Sequence, residues 1–142
     1  AAGMLAGIGL ARRLPLRMGA LGEVTQVKTS ENPFIMHEPD PDAGPVAVEI
    51  AYRIRPADTD AFLEAVSLLR APRRRDGATF WRVYRDLSDP TRFVERFIVT
   101  SWADYLHQRA RATLADQALE ARVREHLLAG AEVRTDHYVA ER

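Results

Sequence analysis

Few side chains in this 142-residue chain combine the type and the spacing that catalysis needs. His107 follows Trp102 by five residues, and an imidazole can exchange a proton near neutral pH. Together with Tyr84, these two residues are the candidates for proton transfer or substrate contact. Each also has a structural explanation, because an isolated helix histidine is usually solvated and an aromatic ring usually fills a core. The pattern leaves both explanations open.

The sequence contains no motif that is typical of a metal site or a cofactor site. His126 and His137 lack the spacing of metal ligands, and the chain contains no cysteine. Disulfides, thiolate catalysis and cysteine metal sites are therefore excluded. A glycine-rich phosphate loop, a serine nucleophile elbow and paired catalytic carboxylates are also missing. We predict that the chain binds neither a metal nor a cofactor.

An aromatic segment offers candidates for ligand contact. Phe80, Trp81 and Arg82 are consecutive, and with Tyr84 they could line a hollow between a sheet and its helices. The alternative is that these rings belong to the core.

A run of arginines could contact a membrane surface. Arg73, Arg74 and Arg75 are the strongest local concentration of positive charge, and Arg12 and Arg13 follow the apolar N-terminus. A basic side chain near anionic headgroups contributes about 1 kcal/mol. The alternative for the central run is a solvated basic loop.

Composition and charge narrow the class of protein. The 20 basic and 20 acidic side chains cancel, so no net field attracts nucleic acid, and we predict no nucleic-acid partner. Apolar residues make up 46% and charged residues 28%, which is typical of a globular domain. The length suits one core.

The N-terminal part is different in character from the rest. Residues 1–11 carry no charge and precede arginines, which is the polarity of the cytoplasmic end of a transmembrane helix and not of a secretory signal. We predict that residues 1–18 are the end of a truncated transmembrane helix with its basic flank; a buried or frayed helix is the alternative. Residues 19–45 lack periodicity and end in EPDPDAGP, which predicts a tether. Residues 46–142 form the predicted domain.

Hydrophobic periodicity predicts the order strand, helix, strand, strand, helix, strand in that domain. A helix over 57–70 should end before Pro72 and lead into a basic turn at 73–77, and Thr113 with Asp116 should form a capping box. This order is the α+β, ferredoxin-like split βαβ arrangement, an antiparallel four-stranded sheet with helices on one face.

The strand that begins at Arg92 has apolar side chains on both of its faces. The set on one face is Phe93, Phe97 and Val99, and the set on the other is Val94, Ile98 and Trp102. Helices cover only one face, so a second copy of the chain is the natural cover for the other. We therefore predict a homodimer.

A resemblance to a known family is carried by five segments in order: ARRLPL, HEPDPDAGPVAVEIAYRI, RAPRRRDGATFWRVYRD, DPTRFVERFIVTSWADYLHQRAR and ADQALEARVREH. With these segments the chain resembles the C-terminal extension of major facilitator superfamily permeases similar to the enterobactin exporter. The resemblance implies a cytosolic domain similar to the dimeric α/β barrels of antibiotic-biosynthesis monooxygenases. It also implies a place behind the last transmembrane helix of an inner-membrane efflux transporter.

The resemblance implies two functions for the domain itself. One is a non-catalytic assembly or regulatory module, and the other is a cofactor-free monooxygenase. Monooxygenases of this fold surround their substrate with polar side chains, and haem-degrading relatives use an asparagine on the first strand. Asn32, in the predicted tether, is the only asparagine of this chain. We therefore favour the non-catalytic module over an enzyme.

Overall fold

The computed structural model describes residues 35–142, and its sheet has the order β2-β3-β1-β4 with every neighbouring pair antiparallel. The strands are β1 (Val46–Arg53), β2 (Phe80–Arg85), β3 (Arg92–Val99) and β4 (Arg134–Val139). The helices are α1 (Thr59–Ser67), α2 (Arg70–Arg75), α3 (Trp102–Ala110) and α4 (Leu114–Arg124), with a 3₁₀ turn at Pro56–Asp58. The predicted ferredoxin-like α+β fold is confirmed.

One face of the sheet is covered by the helices and forms the core. Alternate residues of β1, from Val46 through Val48 to Tyr52, point to this face and are buried. Under one half of the sheet, Phe62 of α1 packs between Tyr52 and Phe93, at ring distances of 5.5 and 5.1 Å. A fully buried phenylalanine of this kind contributes about 1.5–3 kcal/mol to folding. Trp102 and Tyr105 of α3 fill the other half, against Val48 and its neighbours.

The segment between β1 and β2 differs from the single predicted helix. Leu68 and Leu69 each donate a backbone hydrogen bond three residues back, so the chain tightens there and separates α1 from α2. Pro72 does not end a helix but lies in the first turn of α2, where its missing N–H breaks no helical hydrogen bond. The predicted basic turn is wrong, since its three arginines are the last residues of α2.

Local caps begin the last two helices. Ser101 Oγ accepts a hydrogen bond from the Asp104 N–H at 3.1 Å, and Thr113 with Asp116 forms the predicted capping box. Strand alternation predicts Trp102 on the same face as Val94 and Ile98. That placement is wrong, because Trp102 lies on the helix side of the sheet. The reason is that Ser101 is extended and the chain leaves the strand there to enter α3.

Residues 35–45, within the predicted tether, pack against the domain. The N–H groups of Trp102 and Ala103 donate to the carbonyls of Ala43 and Pro41, both at 2.8 Å. The Trp102 indole donates to Glu38 Oε2 at 2.5 Å, and Ile35 packs on the α3 side of the core. Residues 35–45 are therefore part of the folded domain.

The predicted end of a transmembrane helix, residues 1–18, lies outside the described residues, as do Arg12, Arg13 and Asn32. Within residues 35–142, no helix is both long enough and apolar enough to cross a bilayer.

Candidate functional site

The three catalytic candidates from the sequence lie in three different places. Trp102 is buried in the core, and its indole N–H donates a hydrogen bond to Glu38. His107 is exposed on the solvent side of α3. Tyr84 is 42% exposed on the uncovered face of the sheet. The fold does not bring these side chains together, and a role for any of them in catalysis stays a prediction.

The ligand candidates on β2 are divided between the two faces of the sheet. Trp81 points toward the helices and donates its indole N–H to Glu95 Oε2 at 2.9 Å. Phe80 and Arg82 belong to the opposite face, because successive strand residues alternate. At the free edge of β2, the three residues contribute to the lining of the same groove.

The arginine run predicted to contact a membrane is largely neutralised within the domain. Arg73 is 13% exposed and is ion-paired with Glu95 and Glu120. Arg75 pairs with Asp76 and Asp116, both at 2.7 Å. Arg74 is the one member of the run that forms no ion pair with the described residues.

The most polar feature of the interior is a hydrogen-bond network around Glu95. This carboxylate is fully buried on β3 and accepts hydrogen bonds from Arg73 Nε, Trp81 Nε1 and Tyr52 Oη, each at 2.9 Å. Burial would raise the pKa of Glu95, but the Arg73 charge and the donated hydrogen bonds bring it below its usual value. The pKa of Tyr52 is raised, by burial and by the Glu95 charge. Every partner is satisfied, which is typical of a structural network.

Sequence reasoning missed this network, although one signal for it exists. Glu95 lies between Phe93 and Phe97 in a strand, so alternation places its side chain on the same buried face as both rings. A carboxylate at such a position requires a cationic partner, since an unpaired buried charge is costly. The arginine run was the available source of that partner.

A small cavity lies between the helices and the sheet. Its volume is about 70 Å³, and its polar lining includes Arg73, Tyr105, Gln108 and Arg109. Gln108 is 7% exposed, and its Nε2 has no hydrogen-bond partner in the described part of the protein. The cavity can therefore bind one small hydrogen-bond acceptor. It is too small for an aromatic substrate, since benzene occupies a cavity of roughly 150 Å³.

Next to this cavity, Tyr105 and His137 share a hydrogen bond. Tyr105 Oη lies 2.7 Å from His137 Nε2 and accepts a hydrogen bond from Arg109 Nη1 at 3.0 Å. Burial raises the pKa of Tyr105 and, together with the positive charge of Arg109, lowers the pKa of His137. The pair is therefore neutral at physiological pH and links α3 to β4.

No group of three histidine, aspartate or glutamate side chains in residues 35–142 is arranged to hold a metal ion. His126 has a carboxylate partner that the sequence did not reveal, Asp58, with Nδ1 and Oδ2 3.0 Å apart. This pair closes the loop after β1 against the end of α4.

Comparison with protein-family models decides the family. The model described as transmembrane secretion effector, a family of the major facilitator superfamily, matches residues 1–142. The chain belongs to this family. As a member of the transmembrane secretion effector family, it is a transporter-associated protein. No curated protein matches the chain.

Several solved structures have the same fold as this secretion effector chain. A putative antibiotic biosynthesis monooxygenase from Caulobacter crescentus CB15 is 14% identical, with a TM-score of 0.60 over 71% of this chain and 93% of the other. One from Nitrosomonas europaea is 17% identical, with a TM-score of 0.58 over 70% and 92%. SnoaB, a cofactor-independent oxygenase from Streptomyces nogalater, is 14% identical, with a TM-score of 0.55 over 68% and 93%. At these identities the likeness concerns the fold alone, and it confirms the predicted monooxygenase-like architecture.

Proposed function

We propose that residues 35–142 are a self-associating, non-catalytic domain that assembles or regulates a secretion transporter of the inner membrane from its cytoplasmic side. The observation that carries this proposal is the uncovered face of the sheet. The four helices and both parts of the apolar core lie on the other face.

The uncovered face has apolar rows that cross the strands. One row contains, in order from β2 to β4, Phe80, Ile98, Ala47 and Tyr138. A second row contains Tyr84, Val94 and Ala51. Between the rows lies a charged row of Arg82, Arg96, Glu49 and Asp136. Arg96 forms an ion pair with Glu49, and Asp136 forms one with Arg134, so most of this charge is neutralised within one copy. Exposed apolar rows with polar neighbours are typical of a protein interface.

A second copy of the chain is the partner that this face suits best. A two-fold axis would bring the same apolar rows together from both copies, and isologous pairing is the commonest form of protein association. Tyr138 and Tyr84, which are 53% and 42% exposed, would gain most from such burial. In a membrane transporter, a homodimer of the domain would hold two transport bodies together.

The cavity between the helices and the sheet, which is where this fold would hold an aromatic substrate, argues against the monooxygenase alternative. An oxygenase needs a pocket with convergent polar groups, and sites for small molecules usually measure about 300–1,000 Å³. The cavity between helices and sheet is about 70 Å³, and Trp102, His107 and Tyr84 do not converge on it. Solved structures with this fold and 14–17% sequence identity give no evidence for an activity of this chain, because one fold supports many functions.

The oligomeric state tests the proposal. Residues 35–142 should sediment as a dimer at micromolar concentration, and Ile98→Asp should convert them to a monomer because it places a charge in the centre of the apolar row. Leu87→Asp is the matched control, since Leu87 is 93% exposed in the β2–β3 turn. This variant should remain dimeric. A wild-type monomer at high micromolar concentration would refute the proposal.

A further inference from the structure

A groove of about 340 Å³ lies between α1, α2 and the free edge of β2. It is distinct from the small cavity beside Gln108 and lies on the other side of α2. Three arginines line it, Arg70, Arg74 and Arg82, and no carboxylate does. Its apolar lining on the helix side of the sheet includes Leu63, Trp81 and Val83.

These arginines differ from the other cations around them. Arg73 and Arg75, on the same helix, are held by carboxylates. Arg70, Arg74 and Arg82 form no ion pair or side-chain hydrogen bond with residues 35–142. Three uncompensated charges thus line one groove of a chain whose formal net charge is zero. Like charges that line one groove repel one another, and a bound anion would relieve this repulsion.

The two helical arginines are placed to act together. Arg70 and Arg74 are four residues apart on α2, and side chains with this spacing are neighbours on one face of a helix. Arg82 lies on β2, at the rim of the groove where the free strand edge separates the helix side from the uncovered face. A guanidinium presents a planar fork of donors that matches phosphate oxygens in a bidentate manner, so Arg70 and Arg74 can bind one anion together, with Arg82 at the rim adding positive charge.

We propose that this groove binds a phosphate ester whose apolar part lies against Leu63, Trp81 and Val83. The arginines bind the phosphate oxygens, and the apolar lining selects a ligand with a hydrocarbon or aromatic body over free phosphate. The volume suits such a ligand, since small-molecule sites measure about 300–1,000 Å³. The same chemistry is available in a soluble phosphate ester and in the headgroup of an anionic phospholipid.

Calorimetric titration of the full chain with phenyl phosphate tests the proposal. The double variant Arg70→Ala/Arg74→Ala should bind phenyl phosphate about tenfold more weakly or worse, because charge-assisted hydrogen bonds are lost. The matched control is Arg111→Ala/Arg122→Ala, which removes the same charge from two exposed positions outside the groove. This control should bind like the wild type. Inorganic phosphate, which has no apolar part, should bind more weakly than phenyl phosphate.

Vesicles distinguish the two sources of the phosphate group. Co-sedimentation of the same three proteins with phosphatidylglycerol–phosphatidylcholine vesicles should show a selective loss in the groove variant if a lipid headgroup is the ligand. Equal vesicle binding by all three proteins, with selective loss for phenyl phosphate, identifies a soluble ester. Equal losses in both double variants would show a general effect of net charge and would overturn the proposal. It would also be overturned if neither probe distinguished the groove variant while its circular dichroism matched the wild type.

Discussion

The buried carboxylate of Glu95 and the guanidinium of Arg73 meet at two points, Nε to Oε2 at 2.9 Å and Nη2 to Oε1 at 3.3 Å. This contact joins the middle of α2 to β3, one of the two central strands. Arg73 also lies over the ring of Phe97, 5.0 Å from its centroid, so the same side chain covers part of the core. The orientation of α2, and with it the side that carries Arg70 and Arg74, therefore depends on the ion pair.

Replacing Glu95 by glutamine should strongly destabilise the domain. The change leaves Arg73 with a buried charge that only Glu120 still balances, and removing one partner of a buried pair typically costs about 3–5 kcal/mol. Urea unfolding of the two proteins gives the difference in free energy. Glu49→Gln is the matched control, because its partner Arg96 is on the uncovered face, and pairs of that kind contribute about 0–1 kcal/mol. Equal costs for both variants would contradict the assignment.

Acid should narrow the gap between the wild type and Glu95→Gln. The folded pKa of Glu95 is lowered from an ordinary value of 4.5, so the unfolded chain binds its proton more readily than the folded one. The contribution of this carboxylate is therefore complete above about pH 4.5 and is lost as the pH falls through the folded pKa. Unfolding free energies measured from pH 7 to pH 3 should converge for the two proteins. A gap that stays constant would show that Glu95 does not titrate as its contacts indicate.

His137 should titrate below its ordinary pKa of 6.5, because burial and the Arg109 charge disfavour its protonated form. The unfolded state then binds more protons, so this residue lowers the stability of the domain as the pH falls below about 6.5. Carbon-13 or proton NMR of the imidazole gives the pKa directly. His137→Gln should remove this part of the pH dependence, whereas His107→Gln, on the exposed side of α3, should leave it in place.

Gly44→Ala should loosen residues 35–45 from the domain. A methyl group at Gly44 would overlap the carbonyl oxygen of Thr100 and press on Ser101, and both contacts are backbone atoms that cannot rotate away. Hydrogen exchange of the Trp102 and Ala103 amides, which donate to this segment, should accelerate in the variant. Asp42→Ala, an exposed change in the same segment, should leave both amides protected. Unchanged exchange in Gly44→Ala would mean that the segment is not held by these bonds.

The purified domain should neither bind haem nor consume oxygen with quinol or anthrone-type substrates. The physical reason is the small volume of the inner cavity and the separation of its catalytic candidates. Oxygen electrode measurements and haem absorbance provide the test. Turnover that is lost in Trp102→Phe or His107→Ala would reverse the preference for a non-catalytic role.

Much of the fold follows from patterns that act over a few residues. The strict alternation of β1 assigns Val46, Val48 and Tyr52 to one face, because successive strand side chains point in opposite directions. The Thr113–Asp116 capping box is a contact across three residues, and it forms as predicted. The order of strands and helices then leaves few arrangements other than the ferredoxin-like one. The apolar residues on both faces of β3 also follow from alternation, and they are what predicts a second copy.

The candidate sites depended instead on contacts between residues distant in the chain. Arg73 and Glu95 are 22 residues apart, and Trp102 and Glu38 are 64 apart. Of the three arginines of α2 predicted to contact a membrane, Arg73 and Arg75 are ion-paired within the domain. Arg82 lines the same groove as Arg70 and Arg74 only because β2 lies beside α2. A repeating pattern states which side of an element a residue occupies. It does not state which other element faces that side, and only packing in three dimensions decides which charges are paired.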